Sequence, residues 1–170
     1  MNARNLKIAL VLLAAVLAFL FYRSRQPRFV AGEQAPDFSA VLADGQTIRF
    51  TDLRGKYVLV QFWGSWCGPC RAENPYLAGL YKQYHPQGFE IFSIGIEQNA
   101  KAWQRAIESD GMVWAYHTVE LDRFDGPLAA LFNVHSIPST FLINPEGVIM
   151  GVNLQPDQMD KMLQTALAGR

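Results

Sequence analysis

Cysteine is scarce in this chain of 170 residues: there are two, Cys67 and Cys70. That excludes a scaffold built from disulfides, which needs several pairs. It also leaves no four-ligand zinc site, because there is no second cysteine pair and the three histidines, His85, His117 and His135, stand apart. Acidic residues are missing from the start: none precedes Glu33, while Arg4, Lys7, Arg23, Arg25 and Arg28 do. Residues 31–170 then carry ten basic and fifteen acidic side chains, so the net charge of zero hides a basic N-terminus and a mildly acidic remainder. With no basic patch on that remainder, nucleic acid is not an expected partner. Repeats and low-complexity tracts are lacking too.

Charge is absent from Ile8 to Tyr22, fifteen residues in a row. At about 1.5 Å per residue this core spans roughly 22 Å, short of a hydrocarbon layer of ~30 Å. A snorkelling Lys7 and an interfacial Tyr22 recover about a turn. The segment is apolar on every face and flanked by arginines, which suits a membrane helix and not a core helix. A cleaved signal peptide is the alternative. It wants small residues at alternate positions just past the apolar core, and this core ends Phe19-Leu-Phe-Tyr-Arg23. The reading therefore favours a retained anchor and linker over residues 1–28 and one domain over 29–170. Two basic residues before the segment and three after it do not select a side.

The two cysteines stand as Cys-x-x-Cys within Phe62-Trp-Gly-Ser-Trp-Cys-Gly-Pro-Cys70. The run Tyr57–Trp63 reads as a strand buried on both faces, and a helix is expected from about Cys67 to Tyr84. Pro69 fits its first turn, and Pro75 should kink it. A thiol pair at a helix N-terminus is suited to redox chemistry, because the partial positive charge and unpaired N–H groups there favour a thiolate. A structural disulfide closing so short a loop would contribute little. Further strands are expected at 89–96, 116–121 and 136–143, the last opening with Pro138, and at 148–154 after an Asn144–Gly147 turn. Helices are expected at 100–109, 127–132 and 156–167, and a hairpin around Asp44-Gly45. Strands separated by helices, followed by a hairpin and a closing helix, predict an α/β fold with a mixed central sheet and helices on both faces.

Residues 31–170 resemble the thioredoxin superfamily, and more narrowly its membrane-anchored extracytoplasmic members of the TlpA/ResA type. The residues that carry this are Gly32-Glu-Gln-Ala-Pro-Asp-Phe38, the Cys67–Cys70 stretch, Ile137-Pro-Ser-Thr140 and Phe141-Leu-Ile-Asn-Pro-Glu-Gly147. The extra segment near residues 97–120 sets the chain apart from plain thioredoxin. The resemblance implies a thioredoxin-like fold, with Cys67 as the exposed attacking cysteine and Cys70 as the buried resolving one. Pro138 corresponds to the cis-proline facing the disulfide, beside which Ile137 pairs with an extended substrate strand. Trp66 shields the dithiol and offers substrates a flat apolar contact, whereas Trp63 reads as core.

Two departures matter. Where cytoplasmic thioredoxins have a buried Asp relay, six residues before the first cysteine, this chain has Gln61, which cannot titrate. TlpA/ResA-type proteins instead can have a Glu three residues after the second cysteine, here Glu73, one i, i+3 step from Cys70. Glu73 is thus the expected base for Cys70.

The function expected is reduction of protein disulfides outside the cytoplasm, from the bacterial inner membrane. The Gly68-Pro69 dipeptide matches reducing thioredoxins. The reductant is a membrane-bound or periplasmic thiol protein, the lipid contact is the N-terminal helix, and no metal or organic cofactor is called for. Apocytochrome c maturation is one task the resemblance implies. Two alternatives stand beside it. A peroxiredoxin-like peroxide reductase would need a Thr three residues before its cysteine, and position 64 is Gly. A thioredoxin-like binding or chaperone module would work without either cysteine.

Overall fold

The computed structural model describes residues 3–24 and 28–168. Residues 25–27 of the expected linker lie outside the described residues. Helix α1 runs Ala3–Ser24. Its Arg4–Ser24 stretch, 21 residues of mean hydropathy 2.2 and unburied, is long and apolar enough to cross a bilayer. At about 1.5 Å per residue it reaches roughly 30 Å, where the uncharged core alone fell short.

The hairpin forms as expected, from β1 (Ser39–Val41) and β2 (Thr47–Arg49), with Gly45 at φ 86 in its turn. A five-stranded sheet follows, with order β5-β4-β3-β6-β7. Its strands are β3 (Tyr57–Trp63), β4 (Phe89–Ile96), β5 (Tyr116–Glu120), β6 (Ser139–Ile143) and β7 (Ile149–Val152). The first three are parallel, joined by crossovers through α2 (Gly68–Tyr84) and α3 (Ala100–Ser109). Strand β6 runs antiparallel to β3, and β7 antiparallel to β6. Helix α4 (Pro127–Phe132) links β5 to β6, and α5 (Pro156–Leu167) closes the chain. The fold is thioredoxin-like with a mixed sheet.

Alternation along β3 sorts the core. Tyr57, Leu59 and Trp63 point to the face covered by α2, α3 and α5. Val58, Val60 and Phe62 point to the other face, covered by α4 and the hairpin, where Phe38 and Phe50 stack with ring centroids 4.9 Å apart. All seven residues of β3 are buried, as a central parallel strand requires. Two boundaries correct the sequence reading. Strand β6 begins at Ser139, not Ser136, because Pro138 has no N–H for the ladder and its bond to Ile137 is cis. Strand β7 is confined to 149–152, since Asn153 turns to the left-handed region, φ 50, and bonds Thr140 through its backbone N–H and side chain.

Candidate active site

The site lies where β3 ends and α2 begins. Cys67 is the cap residue of α2, in extended conformation (φ −91, ψ 103). Its Sγ accepts the Cys70 N–H at 3.2 Å, one of the donors a helix start leaves unpaired. Pro69 sits in the first turn, where its missing N–H costs nothing. The two sulfurs are joined in a disulfide, with Cα atoms 5.3 Å apart. When the bond is reduced, the same N–H and the helix end favour a thiolate on Cys67. Cys70 is wholly buried, and Cys67 is only 5% exposed. The expectation of an exposed attacking cysteine is corrected to this extent: in the oxidised form its sulfur is turned onto Cys70 and the helix end, leaving a small opening.

Trp66 is 46% exposed, as suits a contact surface beside the sulfur. It is also fixed. Its Nε1 donates to the Ile96 carbonyl at 2.7 Å, and the Arg123 guanidinium lies 4.8 Å from its ring centroid. Phe124 meets it edge-on. Trp63 is fully buried, as read from the sequence. Gly64 explains how Trp66 and Ile137 come together. A Cβ at Gly64 would lie 2.8 Å from Trp66 Nε1 and 3.1 Å from Ile137 Cδ1. Any side chain at position 64, a threonine included, would push these two apart. Pro138 is exposed and shares with Pro69 and Glu73 a cleft of about 480 Å3 that Thr140, Leu154 and Pro156 also line.

Glu73 faces this cleft half-buried, and its Oε2 has no hydrogen-bond partner among the described residues. Burial alone pushes its carboxyl above the ordinary range. It is not the solvated surface charge that a charged residue on an amphipathic helix usually is.

The opposite flank is built from residues to which sequence reasoning gave no role. Gln61 is fully buried in β3. Its Nε2 donates to Asn74 Oδ1 at 2.9 Å, and its Oε1 accepts from Ser93 Oγ at 2.9 Å. Ser93 Oγ in turn accepts from Trp114 Nε1 at 2.9 Å, and Asn74 Nδ2 donates to Asp110 Oδ2 at 2.8 Å. An indole can only donate and a carboxylate can only accept, so both ends of this chain fix the sense of every bond between them. The amides and the hydroxyl between them offer Cys70 no base, and the one titratable member, Asp110, is fully engaged by its donors. Arg71 clasps Asp110 from outside, through Nε and, at 2.7 Å, through a terminal nitrogen. Burial pushes the Asp110 carboxyl up, but the bonds from Arg71, Asn74 and Ser109 outweigh it and hold it below the ordinary value. One signal was available for Asn74: Cys70, Asn74 and Leu77 lie at i, i+4, i+7 on the buried stripe of α2. Nothing local marked Asp110, Ser93 or Arg123.

A thiol pair capping a helix at the end of a central strand, on a thioredoxin-like frame, defines a protein built for thiol–disulfide exchange. The comparisons agree. The AhpC/TSA family matches residues 31–152. A thiol-disulfide oxidoreductase ResA of Bacillus subtilis is 38% identical over 121 residues, 71% of this chain and 65% of that protein. The ResA of Geobacillus kaustophilus is 35% identical over 144 residues, 84% of this chain and 80% of that one. The crystal structure of the thioredoxin domain of a thiol-disulfide oxidoreductase from Bacteroides vulgatus superimposes with a TM-score of 0.74 at 28% identity, covering 82% of this chain and 99% of that one. The chain belongs to the AhpC/TSA family and, within it, is a ResA-like thiol–disulfide oxidoreductase.

Proposed function

We propose that this protein reduces disulfides of extracytoplasmic proteins, with residues 1–28 anchoring it in the bacterial inner membrane and residues 29–170 working on the outer side. The observation that carries the chemistry is the Cys67–Cys70 disulfide at the start of α2, with Cys67 as the cap residue, 5% exposed, and Cys70 wholly buried. The reduced Cys67 thiolate attacks a substrate disulfide, forming a mixed disulfide and releasing one substrate thiolate. Cys70 gives its proton to Glu73 and attacks Cys67 Sγ. The second substrate sulfur leaves as a thiolate, and two electrons have passed to the substrate as Cys67–Cys70 closes. Glu73 suits the task because it is the half-buried carboxylate on the open flank of the helix, while on the Gln61 flank the amides cannot titrate and Asp110 is tied to Arg71, Asn74 and Ser109. Trp66, Ile137 and Pro138 are the surface on which the substrate chain rests. A membrane-bound or periplasmic thiol protein restores the dithiol, and apocytochrome c maturation is the task the ResA-type resemblance implies.

The test is reduction of insulin disulfides by the reduced protein, followed by trapping with Cys70→Ser. Turnover, and a covalent adduct through Cys67 in the variant, are expected. Peroxide consumption without disulfide reduction would overturn the assignment in favour of a peroxidase, against which the crowding at Gly64 already speaks. Full client binding by the Cys67→Ser/Cys70→Ser double variant would favour a chaperone.

A further inference from the structure

Arg71 follows Cys70 directly, and its backbone N–H bonds the Cys67 carbonyl at 3.0 Å. A cation in that place would ordinarily attract the Cys67 thiolate. Here every arm of the guanidinium is engaged elsewhere. Nε and one terminal nitrogen grip the two oxygens of Asp110, the same nitrogen reaches Ser109 Oγ at 2.8 Å, and the other donates to the Ser65 carbonyl at 3.3 Å. Asp110 cannot follow a moving arginine. Its side chain is 8% exposed, and it is held from within by Asn74, which is locked through Gln61 to the sheet. Removing the guanidinium would leave a buried carboxylate without its cation, an expensive state.

We propose that Asp110 is a positioning residue for the redox pair: it sequesters the Arg71 guanidinium from the Cys67 sulfur, leaves the thiolate mainly to the helix end, and so keeps the disulfide form favourable and the dithiol strongly reducing. The inference rests on the reading of the protein as a reductant. The fork geometry makes the sequestration firm, since a bidentate guanidinium–carboxylate pair is planar and directional. One further cation on this flank, Arg105 of α3, lines the same surface pocket as Ser65, Arg71 and Ser109, and it is common to every variant compared below. Glu97, at the end of β4, accepts the Ser65 N–H and, at 3.1 Å, its hydroxyl. Glu73 lies across the helix, and Arg123 is engaged on the Trp66 ring. Asp110 by direct bonds and Glu97 by its charge both favour the Arg71 cation where it lies.

The test uses the full chain in detergent. Two quantities are read: the pH dependence of iodoacetamide alkylation of Cys67 in the reduced protein, and the equilibrium of the dithiol against a glutathione buffer. Asp110→Asn should lower the alkylation midpoint, with about a fivefold gain in thiolate at a fixed pH below it. It should weaken the disulfide by a similar factor, about 20 mV towards a more oxidising couple. Arg71→Lys, a milder change at a partly exposed side chain, should shift both quantities the same way, because an ammonium cannot hold the fork. In an Arg71→Met background the Asp110→Asn effect should shrink to less than half, which a double-mutant cycle reads directly. Unchanged values in both Asp110→Asn and Arg71→Lys, a shift of the opposite sign, or an equal Asp110→Asn effect with and without Arg71 would overturn the proposal. A wild-type couple as oxidising as a dedicated oxidant would overturn the reductant reading instead, and the Asp110→Asn shift measured beside it would still decide the role of Asp110.

Discussion

Glu73 and Asn74 are neighbours on one turn of α2, and they meet opposite surroundings. Glu73 turns to an open cleft with one oxygen unpartnered, its carboxyl raised by burial. Asn74 turns inward, fully buried, with its oxygen and its nitrogen both bonded. The Asn74 flank is saturated, so it can hold the helix and leaves no free base beside the buried thiol. The Glu73 flank is unsaturated, so it costs stability but can do chemistry. A buried polar group left without partners is tolerated where it works, and a network that is complete serves as scaffold.

The comparison breaks most completely at Cys70, the sulfur that both flanks serve. Cys70→Ser should abolish multiple turnover while leaving the first attack intact, so a mixed disulfide with an oxidised model protein accumulates on non-reducing gels. Glu73→Gln comes next. It keeps the shape of the side chain and removes the base, and resolution should slow by ~10²-fold or more. Stopped-flow measurement of mixed-disulfide decay at neutral pH checks this; decay at the wild-type rate would reduce Glu73 to a bystander. On the other flank the loss should be one of stability. Asn74→Ala strands Gln61 Nε2 and removes a bond from Asp110, at a cost of about 2–3 kcal/mol. The urea midpoint should fall with the slope unchanged.

The smallest effects sharpen the contrast through pH. The folded-state pKa of Glu73 lies above the unfolded value, so the folded state holds the extra proton between the two. Its contribution to stability therefore falls as pH rises from the ordinary carboxylate value through the raised one. Glu73→Gln removes that fall, so the variant should be more stable than wild type at neutral pH and lose its advantage in acid. Asp110 is the reverse. Its folded-state pKa is lowered, so its contribution is present above the ordinary value and lost as pH drops towards the folded one. Asp110→Asn should be less stable than wild type at neutral pH, with the gap closing in acid. Urea midpoints across pH 3 to 8 should show the two differences with opposite signs.

Much of this could be read before folding. The span Tyr57–Trp63 emerges as a strand because a short run rich in valine and aromatic residues leaves few other options, and 89–96, 100–109 and 156–167 appear where their patterns placed them. The ends of β6 and β7 did not, because a proline and an asparagine at φ 50 decide them through local geometry. The candidate residues Cys67, Cys70, Glu73, Trp66, Ile137 and Pro138 were all nameable; Glu73 and Pro138 line one cleft, and Trp66 and Ile137 both crowd Gly64. Arg71, Asn74 and Asp110 were not. Asn74 and Asp110 are 36 positions apart, and a residue pattern records periodicity along one element, not the meeting of two.

The sequence by itself determined that this chain has an apolar N-terminal helix, an α/β domain and one dithiol at a strand–helix junction. These follow from hydrophobic periodicity and from the chemistry of two cysteines at fixed spacing, which depend only on near neighbours. Tertiary structure alone decided which side of the dithiol is sealed and which is open. That depends on where residues far apart in the chain come to rest: Asp110 against Asn74, Ser93 against Gln61, Ile137 against Gly64. Burial and hydrogen-bond saturation belong to the packed molecule, so only folding could leave one of two adjacent polar residues facing a cleft and lock the other into a network.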